Sequence, residues 1–106
     1  MTDIIEIHSA AAERNNIMLT GHAAEQIKER QIRISEIYSV LDYGIKIEDY
    51  PTDYPYPSCL MLGLSEQGPL HVVCSLNDGI VYLITAYRPD PEKWEADFRT
   101  RRRDKT

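Results

Sequence analysis

Residues 70–87 read LHVVCSLNDGIVYLITAY. Two apolar runs, 70–76 and 80–87, flank Asn77-Asp78-Gly79, the strongest hairpin signal in the chain. Working outward, residues 58–64 (SCLMLGL) read as another strand, reached through a turn at Glu66-Gln67-Gly68. Residues 45–50 (IKIEDY) alternate in polarity, with Ile45 and Ile47 set toward a core. Between them, PTDYPYP at 51–57 reads as a loop or an edge crossing, because its three prolines remove three backbone donors. Connections this short favour a meander, so these four strands predict an antiparallel sheet.

Upstream of residue 45 the apolar period is 3.6 instead of 2. Residues 3–14 read as a helix capped by Thr2, with Ile4, Ile7 and Ala11 on one face. Thr20 caps a second helix over 21–30, and Ser35 a third over 36–43, with Gly44 as its left-handed stop. Downstream, Asp90-Pro91 is a cap followed by proline, which predicts a last helix over 91–103 with Trp94 and Phe98 on one face. The expected fold is α+β in the order α-α-α-β-β-β-β-α. It has N-terminal helices, a four-stranded antiparallel sheet and a C-terminal helix.

At 106 residues the chain has the size of a single domain, 1–106, and its 42% hydrophobic content suffices for one core. No apolar run is long enough to span a bilayer, and MTDIIEIH lacks the basic-then-apolar pattern of a signal peptide, so the cytoplasm is the expected compartment. Cys59 and Cys74 lie in apolar segments without partners at metal-ligand spacing, which predicts buried thiols; no metal or cofactor is expected. Residues 99–106 carry five cations against Asp104 alone, so within a net charge of −5 the rest sums to −9. An acidic body with a basic tail restricts any nucleic-acid contact to a local patch. The same tail also fits a solvated end that serves local electrostatics and not the fold.

The chain contains no phosphate-binding glycine loop, nucleophile elbow or paired-carboxylate motif. Of its three histidines, His8 reads as a surface or satisfied boundary residue. His22 falls in the first turn of a helix, where the dipole favours the neutral imidazole of a general base. His71 interrupts an apolar strand, and the turn decides what it faces. A two-residue turn at Asp78-Gly79 pairs His71 with Ala86. A three-residue turn with Gly79 left-handed pairs it with Thr85 and puts Tyr87 on the same face, and glycine in third place favours that register.

The segments Thr20-x-His22-Ala23 with Arg30, Ile47-Glu48-x-Tyr50, Pro55-x-Pro57-Ser58, Pro69-Leu70-His71-Val72-Val73 and Thr85-Ala86-Tyr87-x-Pro89 with Trp94 carry a resemblance. Together they are similar to an uncharacterised bacterial domain family often encoded beside YgiT/MqsA-type zinc-finger antitoxins. The MqsA partner, MqsR, is an mRNA-cleaving toxin of RelE-like fold. The resemblance therefore implies a toxin-like, metal-free endoribonuclease acting on RNA, with a zinc-finger antitoxin as partner and no membrane. In such a reaction a base takes a ribose 2′-OH proton, cations hold the phosphorane, and an acid protonates the leaving 5′-oxygen. His22 and His71 are the base and acid candidates, unassigned between the roles. Arg30 lies two turns after His22 and about 80° round the helix, within reach of a phosphate. Tyr87 completes the catalytic candidates by stacking a base or donating a proton, and Thr85, Arg88 and Arg101 are the candidate RNA contacts. His22, Arg30 and His71, with Thr85 and Tyr87 beside them, are expected to converge on one open patch between the second helix and the sheet. The rival reading is a non-catalytic protein-binding domain whose surface is the Tyr50, Tyr54, Tyr56 loop, with the polar residues as a structural network. A small-molecule sensor is a third.

Overall fold

In the computed structural model, which describes residues 3–103, the chain forms three α-helices and one five-stranded mixed sheet. Helix α1 (Ile4–Ala12) starts at Asp3, whose carboxylate accepts the Ile5 N–H at 2.9 Å. The cap expected at Thr2 lies outside the described residues. Helix α2 (Gly21–Glu29) starts as expected, with Thr20 Oγ1 accepting the Ala23 N–H at 3.0 Å. Helix α3 (Ile34–Tyr43) opens at Arg33 and not at Ser35, because the Glu36 carboxylate folds back to accept the Arg33 N–H at 2.8 Å. Gly44 ends α3 with φ −70°, not in the left-handed region. Crowding explains the glycine: a Cβ there would stand 2.5 Å from the Val40 carbonyl oxygen and 2.9 Å from that of Leu62.

The strands are β1 (Ile17–Leu19), β2 (Ile45–Tyr50), β3 (Ser58–Ser65), β4 (Gly68–Asn77) and β5 (Ile80–Tyr87), in the order β1-β5-β4-β3-β2. The four expected strands form the antiparallel part, but the fold expectation fails in two places. The apolar triplet Ile17–Leu19 pairs parallel with β5, Ile17 opposite Val81 and Leu19 opposite Leu83, so the sheet has a fifth strand and is mixed. Three residues carry no period of their own. Pairing with β5 and burial of Ile17 in the core decide their conformation.

Second, residues 91–103 are not helical and β5 is the last regular element among the described residues. Asp90 opens one turn, its carbonyl accepting from Lys93 and Trp94 N–H at 2.9 and 3.0 Å. Asp97 then accepts from the N–H groups of Arg99 and Thr100, giving the backbone a local alternative to the helix. Phe98 turns left-handed at φ 56°, and Trp94 and Arg101 meet in an antiparallel bridge. The segment becomes a strap that buries Trp94, as expected, without a helix.

Two bulges set which side chains share a face. The β4–β5 turn is a two-residue turn, Asp78 and Gly79 both having positive φ (53° and 76°), the hairpin type whose twist matches the strands. The favoured three-residue register is therefore wrong. Yet Val73 pairs with Thr85 and Cys74 with Leu83, so Ile84 is an extra residue and His71 comes to face Tyr87, neither Ala86 nor Thr85. In β2 the register shifts between Lys46 and Glu48, which reverses the expected parity. Ile45 pairs with Leu62 and is 44% exposed, while Glu48 and Tyr50 lie opposite Leu60 and Ser58.

The helices pack on one face of the sheet, where Ile7, Ile27, Ile37 and Leu41 meet Met61, Val72 and Leu83. Cys59 and Cys74 pair across β3 and β4 on this side as buried free thiols. The outer face presents Glu48, Leu60, His71, Thr85 and Tyr87, and the strap lays Trp94 against it.

Candidate functional site

The predicted site residues divide into three groups. On the outer face, β4 carries His71 and β5 carries Tyr87 directly across from it. His71 is fully buried and its ring lies edge-on to Trp94 at 4.5 Å. Its Nε2 is 2.7 Å from the Phe98 carbonyl oxygen, which can only accept, so Nε2 carries the proton. Nδ1 then accepts from the Tyr87 hydroxyl at 3.3 Å. Burial, the largest influence, lowers the His71 pKa below its ordinary value, against the opposing Phe98 hydrogen bond and the Glu48 charge.

Sequence reasoning gave no role to Glu48, which stands beside it and gathers Tyr50 and Arg101. Glu48 takes a two-pronged ion pair from Arg101, at 2.8 Å to Nε and 3.0 Å to Nη2, and accepts the Tyr50 hydroxyl at 2.6 Å. Arg101 also lies 4.6 Å over the Trp94 ring. Arg101 holds the Glu48 pKa below the usual carboxylate range, and the carboxylate in turn raises that of Arg101. Burial, then Glu48, raises the Tyr50 phenol, and burial raises Tyr87. The cluster therefore holds an ionised carboxylate, a guanidinium, a neutral imidazole and two protonated phenols. The visible signal was the Glu48-x-Tyr50 spacing, which puts both on one face; the link to Arg101 crosses the chain and was not legible. Arg101 and Arg102 are also docked, Arg102 Nε donating to the Pro91 carbonyl at 2.7 Å, so this part of the tail belongs to the fold, contrary to expectation.

The second group runs along α2. His22 is exposed, and its Nε2 lies 2.8 Å from the Gln26 amide nitrogen. Gln26 accepts the Thr85 hydroxyl, and Arg30 donates to Thr85 Oγ1 at 3.1 Å and to the Ala86 carbonyl at 2.8 Å. His22, Arg30 and Thr85 thus do come together, through Gln26. They do not converge with His71, whose partners belong to β5 and the strap. The single open patch expected from sequence is not formed.

In the third group, Arg88 grips Glu36 at 2.8 and 3.1 Å. Glu36 is 1% exposed and also accepts the Ser65 hydroxyl at 2.7 Å. Arg88, with help from the Arg33 N–H and Ser65, lowers the Glu36 pKa to about 2. Arg88 is thus tied to the core at one end. Among the described residues, no group of three or more His, Cys, Asp or Glu is placed to hold a metal ion, and no helix is long and apolar enough to cross a membrane.

These features define a small α+β domain with helices on one side of a mixed sheet and a strapped polar cluster on the other. The chain belongs to a family described as a domain of unknown function (DUF4258), matched over residues 19–88. The match holds Glu48, His71, Tyr87 and the α2 group; the strap that covers His71 lies beyond it. No curated protein and no solved structure matches the chain.

Proposed function

We propose that this domain is a toxin-type endoribonuclease whose reaction needs no metal, with its chemistry in the outer-face cluster and not at His22. The observation that carries the reading is the meeting of Glu48, Tyr50, His71, Tyr87 and Arg101 on one face. In this reading the Glu48 carboxylate takes the 2′-OH proton and the 2′-oxygen attacks phosphorus. Arg101 leaves Glu48 to hold the phosphorane oxygens, and the Tyr87 phenol turns its one proton away from His71 Nδ1 and gives it to the leaving 5′-oxygen as the P–O bond breaks. His71, closed to solvent, orients Tyr87 from behind. The product carries a 2′,3′-cyclic phosphate. We place the protein in the cytoplasm with a zinc-finger antitoxin as its neutralising partner, tested by co-expression and co-purification.

The test is incubation of the purified chain with RNA oligonucleotides, with and without EDTA, and analysis of the ends formed. Glu48→Gln lowers the rate on the order of a hundredfold or more while the circular dichroism is unchanged. Wild-type cleavage by this variant removes Glu48 from the mechanism.

A second reading rests on the closure of His71, whose two nitrogens are both engaged in a fully buried position. That is how a structural network is built. It makes the domain a non-catalytic protein-binding module, presenting the 95% exposed Tyr54 of the aromatic loop. Growth arrest with RNA loss on induced expression supports the first reading, and unaffected growth with intact RNA the second.

A further inference from the structure

A polar cleft of about 410 Å3 opens where the α2–α3 turn meets the β3–β4 turn, lined by Arg30, Gln31, Arg33, Gln67 and Arg88. Every one of these side chains presents N–H donors, and none is a carboxylate. We infer that this cleft is a phosphate subsite that holds the backbone of an RNA strand. The identity of the ligand rests on the nuclease reading above.

The charge is uncompensated. Arg88 is neutralised by Glu36, but Arg30 is held only by the neutral oxygens of Thr85 and Ala86, and Arg33 has no acidic partner among the described residues. Three guanidinium groups over one carboxylate leave a local surplus of positive charge in a chain of net charge −5. Among the described residues the anchoring of Arg30 occupies Nη1 alone, which leaves Nε and Nη2 to form the two-pronged bond that suits a phosphate. Arg33 is the cap residue of α3, so the positive end of that helix dipole adjoins the cleft.

The scaffold is fixed in advance. Gln31 is left-handed at φ 56°, and hydrogen bonds from Arg30 N–H to Gln26 O (2.9 Å) and from Ile32 N–H to Ile27 O (2.8 Å) hold the turn. Little ordering remains to oppose binding. An RNA strand fits better than a small anion because of what adjoins the cleft. Tyr87 enters the outer-face cluster and the next residue, Arg88, lines the cleft, so one strand crossing the end of the sheet reaches both.

The test is fluorescence anisotropy of a labelled single-stranded RNA made uncleavable by 2′-O-methylation, titrated at several salt concentrations. Arg33→Glu and, separately, Gln67→Glu weaken binding by about tenfold or more, and Arg33→Glu lowers the slope of log affinity against log salt by roughly 0.7. Arg103→Glu makes the same charge change outside the cleft and shifts affinity less than about twofold. Equal losses for Arg33→Glu and Arg103→Glu overturn the subsite. So does inorganic phosphate or a nucleoside monophosphate that binds as tightly as the oligonucleotide, which marks a small-anion site. RNA binding that depends on Arg33 without any cleavage keeps the subsite and removes the nuclease; cleavage with a KM indifferent to Arg33→Glu keeps the nuclease and removes the subsite.

Discussion

Replacing Arg88 by methionine removes the counter-charge of Glu36 while keeping most of the side-chain volume. Glu36 is 1% exposed, and what remains to it are the Ser65 hydroxyl and the Arg33 N–H. Breaking a buried ion pair from one side costs about 3–5 kcal/mol, since the other charge stays without compensation. The proton linkage gives a similar figure. Glu36 titrates at about 2 in the fold against a reference of 4.5, and roughly 1.4 kcal/mol per pH unit makes about 3 kcal/mol. Because the folded value is the lower one, this stability is present above pH 4.5 and is lost as pH falls toward 2. Arg88→Met therefore lowers stability at pH 7 by about 3 kcal/mol or more and flattens the acid limb of the profile, a large share of the 5–15 kcal/mol of a typical domain. The assay is urea denaturation from pH 7 to pH 3, followed by the emission of the single tryptophan, Trp94. A companion variant replacing both partners, Glu36→Leu with Arg88→Met, recovers most of the loss. A loss under about 1 kcal/mol for Arg88→Met, or an unchanged acid limb, refutes the reasoning.

Burial lowers the His71 pKa from 6.5, so the unfolded chain binds the extra proton; stability from this group is complete above pH 6.5 and falls as pH drops below it. NMR titration checks this, and a His71 pKa at or above 6.5 contradicts it. Deleting residues 101–106 removes the Arg101 contacts with Glu48 and Trp94 and costs about 1–2 kcal/mol, discounted because the Arg101 side chain is 59% exposed. An unchanged urea midpoint counts against a docked tail. Gly44→Ala drives a Cβ against the Val40 and Leu62 carbonyl oxygens and destabilises by roughly 1–3 kcal/mol, read as a lowered melting temperature. A melting temperature at or above the wild type shows that the crowding relaxes freely.

The strands from Ile45 to Tyr87 were legible because their alternation and turn residues are local signals. What escaped was set by single extra residues and distant partners. Neither bulge, at Ile47 or at Ile84, leaves a mark in composition, yet each reverses a face: the first turned Ile45 outward, and the second brought His71 opposite Tyr87 from a turn that should have separated them. Asp90-Pro91 correctly marked a helical turn, but Asp97 offered the backbone competing bonds and the outer face offered Trp94 a place to bury. In the site, His22 was rightly set on the second helix, which ends one residue early and leaves Arg30 as its C-cap, and His71 and Tyr87 were rightly set on one face. Joining the two sets needed a Thr85 aimed at His71, whereas it bonds to Gln26. The Glu48–Arg101 and Glu36–Arg88 pairs depend on tertiary geometry that no spacing rule encodes.

The place of β5 has a consequence for synthesis on the ribosome. Of the five strands of this sheet it is made last and yet lies in the interior, with β1 on one side and β4 on the other. Ile17, Met18 and Leu19 have no partner until Val81, Tyr82 and Leu83 leave the exit tunnel. At 5–20 residues per second that wait is on the order of several seconds. Until then β4 offers an open edge, and the outer face lacks both Tyr87 and its strap. The nascent chain is thus unable to complete either the sheet or the polar cluster before the residues from Ile17 to Arg101 have all been made.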